Sequence, residues 1–330
     1  MELGGVSMKY ALVTGSEGFI GSYLVEGLIN KGYRVRAFVQ YNSLFSRGWL
    51  NGKVHSNLEF YFGDIRDYQS VLNSLTGINV VFHLASLISI PYSYESPESY
   101  IDTNVKGAFN VLESARHITG IETVIITSTS EVYGSAQFVP MNESHPLQAQ
   151  SPYSATKIAA DKLAESYYKS FNTPITIVRP FNAYGPRQST RAIIPRIITQ
   201  LMKNPKDVKL GSLYPIRDFN FVTDVVDAFL RISENPKSIG KEINISTGTG
   251  ISIHELLELI SNIMGIEYRL KEDKSRIRPE KSEVDRLIGD STLLREMTGW
   301  VPKYDLSSGL KETIKFYTKS EIVADEDYIK

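Results

Sequence analysis

Thr14-Gly15-Ser16-Glu17-Gly18-Phe19-Ile20-Gly21 carries the fold prediction for this chain of 330 residues. It follows a short apolar run at residues 10–13 and opens the segment Phe19–Asn30, whose apolar residues recur at helical spacing. The first glycine permits a tight turn, the second lets the backbone approach a phosphate, and the third allows close packing of helix and strand. A strand, a turn and a helix N-terminus in this order predict a pyrophosphate site, although three glycines could also form a plain structural corner.

Apolar runs that indicate buried strands alternate along the chain with segments of helical spacing. The predicted strands are residues 10–13, 35–39, 58–62, 80–84, 124–127 and 175–179, and the helices between them include residues 19–30, 68–75, 99–117 and 152–170. Strands that alternate with helices form parallel sheets covered on both faces. We therefore expect an α/β fold, a Rossmann-type doubly wound parallel sheet with a smaller, mixed α/β C-terminal substrate domain.

Composition limits the classes of function. Hydrophobic residues make up 42% and charged residues 22% of the chain, and a net charge of −1 offers no basic field for nucleic acid. The absence of cysteine excludes disulfides and thiolate metal sites, and the five histidines show no metal-ligand spacing. We find no signal peptide and no membrane-spanning run, and we expect a cytoplasmic protein.

The choice of dinucleotide depends on the end of the second predicted strand. An acidic residue normally stands there to hold a ribose hydroxyl, but this strand ends at Gln40. Arg36 and Arg47 could meet a 2′-phosphate, although neither is convincingly placed. We expect NAD, with NADP as the open alternative. Asp64, after the third predicted strand, could face the adenine or could equally cap a helix.

The predicted domain boundary is not a single cut. Beyond Pro180 glycine and proline become more frequent, with predicted helices at residues 193–203, 253–264 and 310–317. We assign residues 1–183 to an NAD-binding Rossmann domain, with a return segment at about 218–247, and residues 184–330 mostly to the substrate-binding domain. The acidic tail after Lys319 is expected to be loosely held.

A tyrosine and a lysine share one helix face after the fifth predicted strand. Ser151-Pro152 is typical of a helix start, and Lys157 follows Tyr153 by four residues. A nearby ammonium lowers the pKa of a tyrosine, so Tyr153 could take the proton of a substrate hydroxyl while hydride leaves for nicotinamide. This spacing is expected about once by chance. Its position after the strand-end hydroxyls Ser128 and Thr129 gives it weight.

Further motifs accompany the glycine turn and the Tyr–Lys pair. They are Thr127-Ser128-Thr129, Arg179-Pro180-Phe181-Asn182-Ala183-Tyr184-Gly185-Pro186-Arg187 and Arg217-Asp218-Phe219. Together these motifs resemble the extended short-chain dehydrogenase/reductase family over most of the chain. Residues 90–97 (IPYSYESP), 187–192 (RQSTRA) and 278–284 (RPEKSEV) are similar to nucleotide-sugar 4,6-dehydratases, in particular those that act on GDP- or UDP-N-acetylglucosamine in legionaminic-acid-type pathways.

The resemblance implies that oxidation of the substrate is temporary. Oxidation at C4 of the sugar gives a ketone that acidifies the C5 proton; a carboxylate removes this proton, the C6 hydroxyl leaves as water, and hydride returns to C6. Glu131 is the candidate base, and Thr129 or Ser130 would hydrogen-bond the C4 oxygen or the departing hydroxyl. Many hexose 4,6-dehydratases carry an aspartate where this chain has Ser130, so Glu131 could serve both proton transfers. A solvated carboxylate at a strand end is the structural alternative for Glu131.

The resemblance also implies the site residues, and no metal is expected among them. The catalytic residues are Thr129, Ser130, Glu131, Tyr153 and Lys157. The cofactor residues are Gly15, Gly18, Phe19, Ile20, Gly21, Gln40, Asp64, Ile65, Leu84, Ala85, Ser86, Asn104, Tyr153, Lys157 and Pro180. The substrate residues are Ser86, Ser128, Asn182, Arg187, Arg191, Arg217 and Arg278. Arginine forks suit a diphosphate, although each arginine could instead form a surface ion pair.

Other functions stay open at this point. A UDP-glucuronate decarboxylase uses the same 4-ketone to lose the C6 carboxylate, and a nucleotide-sugar 4-epimerase returns hydride to the opposite face of C4. A noncatalytic NAD-binding module is a different class, against which the intact Tyr153 and Lys157 argue. Residues 99–117 and 152–170 resemble the helices of a four-helix dimer interface, so we expect a homodimer that binds a nucleotide sugar; packing within one chain is the alternative.

Overall fold

The computed structural model describes residues 8–320, and the predicted loose tail lies outside the described residues. The strands are β1 (Tyr10–Thr14), β2 (Arg34–Gln40), β3 (Leu58–Gly63), β4 (Val80–His83), β5 (Thr123–Thr127), β6 (Ile175–Pro180), β7 (Asn182–Tyr184), β8 (Val208–Leu210), β9 (Ile216–Arg217), β10 (Phe219–Phe221), β11 (Glu242–Ile245), β12 (Ile251–Ser252), β13 (Leu270–Glu272) and β14 (Arg286–Leu287). The α-helices are α1 (Phe19–Asn30), α2 (Tyr68–Ser74), α3 (Ile90–Glu95), α4 (Pro97–Tyr100), α5 (Gly107–His117), α6 (Pro152–Phe171), α7 (Ile193–Lys203), α8 (Val222–Glu234), α9 (Ile253–Met264), α10 (Thr292–Thr298) and α11 (Leu306–Lys319).

The main sheet has seven strands in the order β11-β6-β5-β4-β1-β2-β3, and every neighbouring pair is parallel. After β3 the chain crosses to β4 on the other side of β1, so β1 lies at the point where the strand order reverses. Ligands bind at such a point, beyond the carboxyl ends of the strands. The predicted Rossmann-type α/β fold is confirmed. Its seventh strand, β11, comes from the segment that was expected to return to the sheet.

Helices cover both faces of the sheet because consecutive strand residues point to opposite sides. In β1, Ala11 and Val13 belong to one apolar core with Leu24 of α1 and Phe229 of α8. Leu12 between them belongs to the core on the other face, with side chains from α2, α5 and α6. Each fully buried aliphatic side chain of this kind stabilises the fold by roughly 1.5–3 kcal/mol. The nearly all-apolar strands are thus a consequence of burial on two faces.

The predicted helix at residues 99–117 is not continuous. The structure has α4, then a π-helical stretch at Ile101–Lys106, and then α5. A π-helical turn holds one more residue than an α-helical turn, and this stretch contains Asn104. The Asn104 amide accepts a hydrogen bond from Leu87 N at 2.9 Å and donates to Leu87 O at 3.0 Å. The prediction missed this break because the apolar spacing continues through it.

A smaller region packs against the carboxyl edge of the sheet. Its core joins α7, α9 and α11 through buried residues such as Ile197, Leu257 and Leu310. Short strands form a mixed three-stranded sheet (β12-β9-β14) and a parallel pair (β13-β8). No helix within residues 8–320 is both long enough and apolar enough to span a membrane.

Candidate active site

A cleft with a volume of about 1070 Å³ lies between the carboxyl edge of the main sheet and the smaller region. One part, the cofactor half, is lined by the glycine turn, Gln40, Asp64 and residues 84–86. The other part, the substrate half, is lined by Glu131, residues 187–189 and 191–193, Arg217, Arg278 and Glu283. Tyr153 and Lys157 line the cleft as well.

The glycine turn is closely packed in a way that excludes side chains. Gly15 has a φ of +65°, and a Cβ there would lie 2.9 Å from Ala85 N. At Gly21 a Cβ would lie 2.2 Å from Gly15 O. Gly18 is the N-cap of α1 and provides no capping side chain, so the first amide groups of the helix have no intrahelical acceptor. These free N–H groups and the space above Gly18 fit a dinucleotide pyrophosphate.

The arginines that were considered for a 2′-phosphate are bonded elsewhere. Arg36 Nε donates to Glu59 at 2.6 Å, and its guanidinium also bonds the carbonyls of Ser74 and Thr76. Arg47 lies 4.3 Å over the ring of Phe60. Neither arginine lines the cleft. This arrangement agrees with the expectation of NAD.

Asp64 lines the cofactor half and does not cap a helix. The N-cap of α2 is Asp67, so the alternative of a capping role for Asp64 is wrong. Asp64 instead receives hydrogen bonds from the side chain of Arg66, at 2.6 Å for the shortest, and these bonds hold the pKa of the Asp64 carboxyl below its usual range.

The Tyr–Lys pair projects from the start of α6. Ser151 caps this helix in a capping box with Ser154, and Pro152 occupies the first turn. Lys157 is buried, and its ammonium donates a hydrogen bond to Thr127 O at the end of β5 at 2.6 Å. Burial lowers the pKa of Lys157 to about 8. The helix cap and the strand end together fix the lysine beside the cleft.

The expected lowering of the tyrosine pKa is not seen. Burial raises the pKa of Tyr153 above its usual range; a hydrogen bond from Thr129 acts in the opposite direction, and the charge of Glu131 raises the pKa further. Desolvation outweighs the neighbouring groups because the phenol is almost completely enclosed. Tyr153 is therefore a neutral phenol at neutral pH.

Glu131 lies at the junction of the two halves. It follows Thr129, whose hydroxyl accepts a hydrogen bond from Glu131 N at 3.2 Å and caps the 3₁₀ turn Ser130–Tyr133. The Glu131 side chain is 13% exposed, and its Oε2 lies 3.8 Å from Arg278 Nη1. The carboxylate is thus partly desolvated and close to a cation, unlike a solvated group at a strand end.

Opposite charges alternate in the substrate half. Arg217 Nη2 lies 3.7 Å from Glu283 Oε1, and Arg278 Nη1 lies 4.0 Å from the same oxygen. Burial lowers the pKa of Arg217, and the charge of Glu131 partly opposes this shift. Sequence reasoning missed Glu283 as a site residue, although it lies in the stretch 278–284 that carried part of the resemblance.

Most of the remaining predicted site residues line the same cleft. These are Phe19, Ile20, Ile65, Leu84, Ala85, Ser86, Ser128, Thr129, Ser130, Pro180, Asn182, Arg187 and Arg191. Asn104 lies behind the wall, where it holds the backbone of Leu87. The guanidinium of Arg187 is bound to α1, with Nη2 at 3.0 Å from Glu26 and the group stacked over Tyr23.

Behind the Tyr–Lys pair, a buried ion pair was also missed. Asp161 follows Lys157 by one helical turn, and its Oδ2 receives bonds of 3.0 and 3.1 Å from Arg179. Both side chains are completely buried, and Asp161 acts to raise the pKa of Lys157. Arg179 also contacts Glu242 at 2.8 Å. The i, i+4 spacing from lysine to aspartate was the available signal.

A Rossmann-type sheet with a Tyr–Lys pair at its carboxyl edge defines a class of dinucleotide-dependent oxidoreductase-like enzymes. The sequence family described as GDP-mannose 4,6 dehydratase matches residues 12–313. The chain belongs to the extended short-chain dehydrogenase/reductase family, in its NAD-dependent epimerase/dehydratase branch, as the resemblance implied.

The similar proteins include both 4-epimerases and 4,6-dehydratases. The chain is 32% identical over 317 residues to a UDP-glucose 4-epimerase of Mycolicibacterium smegmatis, with 93% of this chain and 97% of the relative covered. It is also 32% identical over 330 residues to the dTDP-D-glucose 4,6-dehydratase of Homo sapiens, with 94% and 91% covered. Together these relatives indicate that the chain is a nucleotide-sugar 4,6-dehydratase or 4-epimerase.

A solved structure extends the comparison to bound ligands. DesIV, a dTDP-glucose 4,6-dehydratase from Streptomyces venezuelae with NAD bound, superimposes with a TM-score of 0.84 at 26% identity, covering 94% of this chain and 97% of that chain. The predicted dependence on NAD is confirmed for the family. The names of these relatives do not single out N-acetylglucosamine, which stays a prediction.

Proposed function

We propose that this protein is a nucleotide-sugar 4,6-dehydratase that uses tightly bound NAD and converts UDP- or GDP-N-acetylglucosamine to the 4-keto-6-deoxy sugar. The observation that carries the proposal is the position of Glu131. Its carboxylate lines the cleft beside Thr129 and Tyr153, where only a reaction that moves a second proton needs it. A 4-epimerase needs the Tyr–Lys pair and the cofactor, but it has no step for this carboxylate.

The first step is the oxidation of C4. NAD, when bound, supplies the hydride acceptor and a positively charged ring. Tyr153 takes the proton of the C4 hydroxyl, but its buried phenol must first lose its own proton. The Thr129 hydroxyl favours the tyrosinate through its hydrogen bond, and a Lys157 ammonium close to the phenol would favour it as well. Activity should therefore depend on the protonation of the lysine, whose pKa is about 8.

The second step is the loss of water. The 4-ketone acidifies the C5 proton, and Glu131 removes it. The electrons of the C5–H bond form the C5–C6 double bond as the C6 hydroxyl leaves, and the carboxylic acid that Glu131 has become gives the proton that completes the water. Hydride then returns to C6 and a proton to C5, so the reaction is redox-neutral and regenerates NAD.

Charge in the substrate half supports a nucleotide sugar as the substrate. Arg217 and Arg278 can neutralise a diphosphate, and Glu283 holds both within 4.0 Å in the protein without ligand. A glucuronate decarboxylase has no strict need of a base at C5, so the Glu131 carboxylate at the cleft favours the dehydratase over it.

The test is turnover in D₂O, followed by mass spectrometry over a panel of UDP-, GDP- and dTDP-linked sugars. A 4,6-dehydratase gives a product lighter by one water that carries solvent deuterium at C5. A 4-epimerase gives a product of unchanged mass without solvent deuterium, because its hydride leaves and returns on NAD. The epimerase is the second candidate because a relative of that activity is 32% identical over nearly the whole chain.

Glu131→Gln sharpens the test. It should lower water loss about 10²- to 10⁴-fold while single-turnover reduction of bound NAD by the sugar persists. Glu280→Gln, an exposed glutamate of the same sign on the 278–284 stretch, serves as the control for net charge. Dehydration by Glu131→Gln at the wild-type rate would remove the basis of the proposal.

A further inference from the structure

The cofactor half lacks an acidic residue at the position that usually holds the adenosine ribose. That position is the end of β2, where the chain has the neutral Gln40. An amide side chain does not repel a 2′-phosphate as a carboxylate does. The preference for NAD over NADP thus needs another source.

A carboxylate from the glycine turn occupies this place. Glu17 Oε1 accepts a hydrogen bond from Gln40 N at 2.9 Å, so the glutamate is joined to the end of β2 although it belongs to the loop after β1. Glu17 and Gln40 line the same cleft. The other carboxylate oxygen, Oε2, is buried and has no hydrogen-bond partner among residues 8–320.

An unpaired buried carboxylate oxygen is costly, and the partner that satisfies it must be a donor. A carboxylate only accepts hydrogen bonds, and leaving such a group unsatisfied costs more than a typical hydrogen bond gains. A ribose hydroxyl is a donor of the required kind. A 2′-phosphate at the same place would bring negative charge against Glu17.

The nearby arginines do not offset this charge. Arg36 and Arg47 are bonded outside the cleft. Arg66 lines the cofactor half, but its guanidinium donates hydrogen bonds to both carboxylate oxygens of Asp64, at 3.0 Å to Oδ1 and 2.6 Å to Oδ2. The carboxylate of Glu17 is therefore the charged group that is hydrogen-bonded to the end of β2.

We propose that Glu17 selects NAD over NADP: Oε1 keeps its bond to Gln40 N, and the buried Oε2 is uncovered when the cofactor binds and accepts a hydrogen bond from the 2′-hydroxyl of the adenosine ribose. This role is independent of the sugar substrate and of whether the enzyme is a dehydratase or an epimerase. It assigns to the glycine turn the discrimination that the end of β2 usually performs.

The competing role for Glu17 is to hold the loop after β2. Trp49 N donates to Glu17 O at 3.1 Å, and a Cβ at Gly48 would lie 2.4 Å from that same oxygen. These contacts use the backbone of Glu17. The free Oε2 contributes nothing to them, so the two roles separate in an isosteric variant that keeps an acceptor for Gln40 N.

The experiment measures dissociation constants by calorimetry on protein stripped of nucleotide. Glu17→Gln should bind NAD about 10-fold more weakly and NADP more tightly than the wild type, so that the NAD/NADP ratio falls about 100-fold. Glu234→Gln, an exposed glutamate at the end of α8 paired with Lys31, should leave that ratio unchanged.

A modified ligand completes a double-mutant cycle with this variant. The wild type should bind NAD lacking the adenosine 2′-hydroxyl about 10-fold more weakly than NAD, and Glu17→Gln should lose less than about 2-fold. Wild-type protein that binds the 2′-deoxy dinucleotide as well as NAD would overturn the proposal without any variant. If folded Glu17→Gln kept the wild-type ratio of NAD to NADP affinity, the proposal would also fail, and the role of Glu17 would be to hold the loop after β2.

Discussion

The two halves of the cleft differ in the groups that line them. The cofactor half is mostly backbone: a glycine turn in which Cβ atoms would collide with main-chain atoms. The substrate half is made of charged side chains, Glu131, Arg217, Arg278 and Glu283, which come from separate parts of the chain and lie 3.7–4.0 Å apart. A backbone site binds a group common to the whole family, whereas side-chain charges can change with the substrate.

The largest expected effect on stability comes from the buried Asp161–Arg179 ion pair behind the Tyr–Lys pair. Asp161→Asn removes the carboxylate that bonds the fully buried Arg179 at 3.0 Å and leaves Glu242 as its remaining acidic partner, so the free energy of unfolding should fall by about 3 kcal/mol. Glu165→Gln, one turn later on α6 and paired with Lys162 and Lys169 at the surface, should change it by less than about 1 kcal/mol. Urea unfolding measures both; equal losses would mean that the buried pair contributes no more than a surface pair.

Two glycine variants test the backbone character of the cofactor half. Gly21→Ala brings a Cβ to 2.2 Å from Gly15 O and should lower the free energy of unfolding by roughly 3 kcal/mol. At Gly18 the nearest atom would be 3.3 Å away, so Gly18→Ala should fold nearly normally but bind NAD at least about 10-fold more weakly. Thermal unfolding and NAD titration distinguish the two. Normal NAD affinity in Gly18→Ala would contradict the close approach of backbone and pyrophosphate.

Lys157, which lines the cleft, should make the stability of the fold depend on pH. Its pKa falls from 10.5 to about 8 on folding, so between these values the unfolded chain binds more protons and stability rises with pH. From pH 8 to 9.5 this contribution should amount to about 2 kcal/mol.

Lys157→Met should remove this rise and should be more stable than the wild type at pH 7, because the buried ammonium of Lys157 is gone. Urea unfolding at pH 8 and 9.5 measures the difference, with Lys162→Met, a surface lysine, as the control. A rise of the same size in Lys157→Met would assign the pH dependence to other groups.

The smallest expected effect is in the substrate half. Glu283→Gln removes the charge shared by Arg217 and Arg278, which should change KM for the nucleotide sugar about 3- to 10-fold with little change in stability or NAD affinity. Steady-state kinetics measure this, with Glu280→Gln as the control. A loss of NAD binding in Glu283→Gln would show that the two halves are not independent.

Periodic and local signals were enough for the fold and for the conformation of the glycine turn. The strands were predicted within a few residues because burial on two faces makes them almost wholly apolar, and the start of α6 was evident from Ser151-Pro152. The break in the helix at Ile101–Lys106 was not predictable, because the spacing of apolar residues does not change there. The feature that accompanies the break is a tertiary hydrogen bond from Asn104 to Leu87.

Site residues were predictable where they belong to one contiguous motif, and less predictable where the fold brings together residues that are distant in sequence. Tyr153 and Lys157 were found from one helical turn of sequence, but the direction of the tyrosine pKa was wrong because burial is a property of the whole fold. Glu283 and Asp161 were missed because their partners, Arg217 and Arg179, are distant in sequence. Arg187 was expected at the substrate, yet its guanidinium is bound to Glu26 of α1.

The sequence by itself determined the order of strands and helices, the phosphate-binding turn and the Tyr–Lys pair, because each depends on residues within one or two turns of one another. Only the tertiary structure decided which charges meet. Glu17 reaches the end of β2, and Glu131 comes within 3.8 Å of Arg278. The physical reason is that electrostatic interaction and desolvation depend on distance in space and on burial, which the fold alone creates.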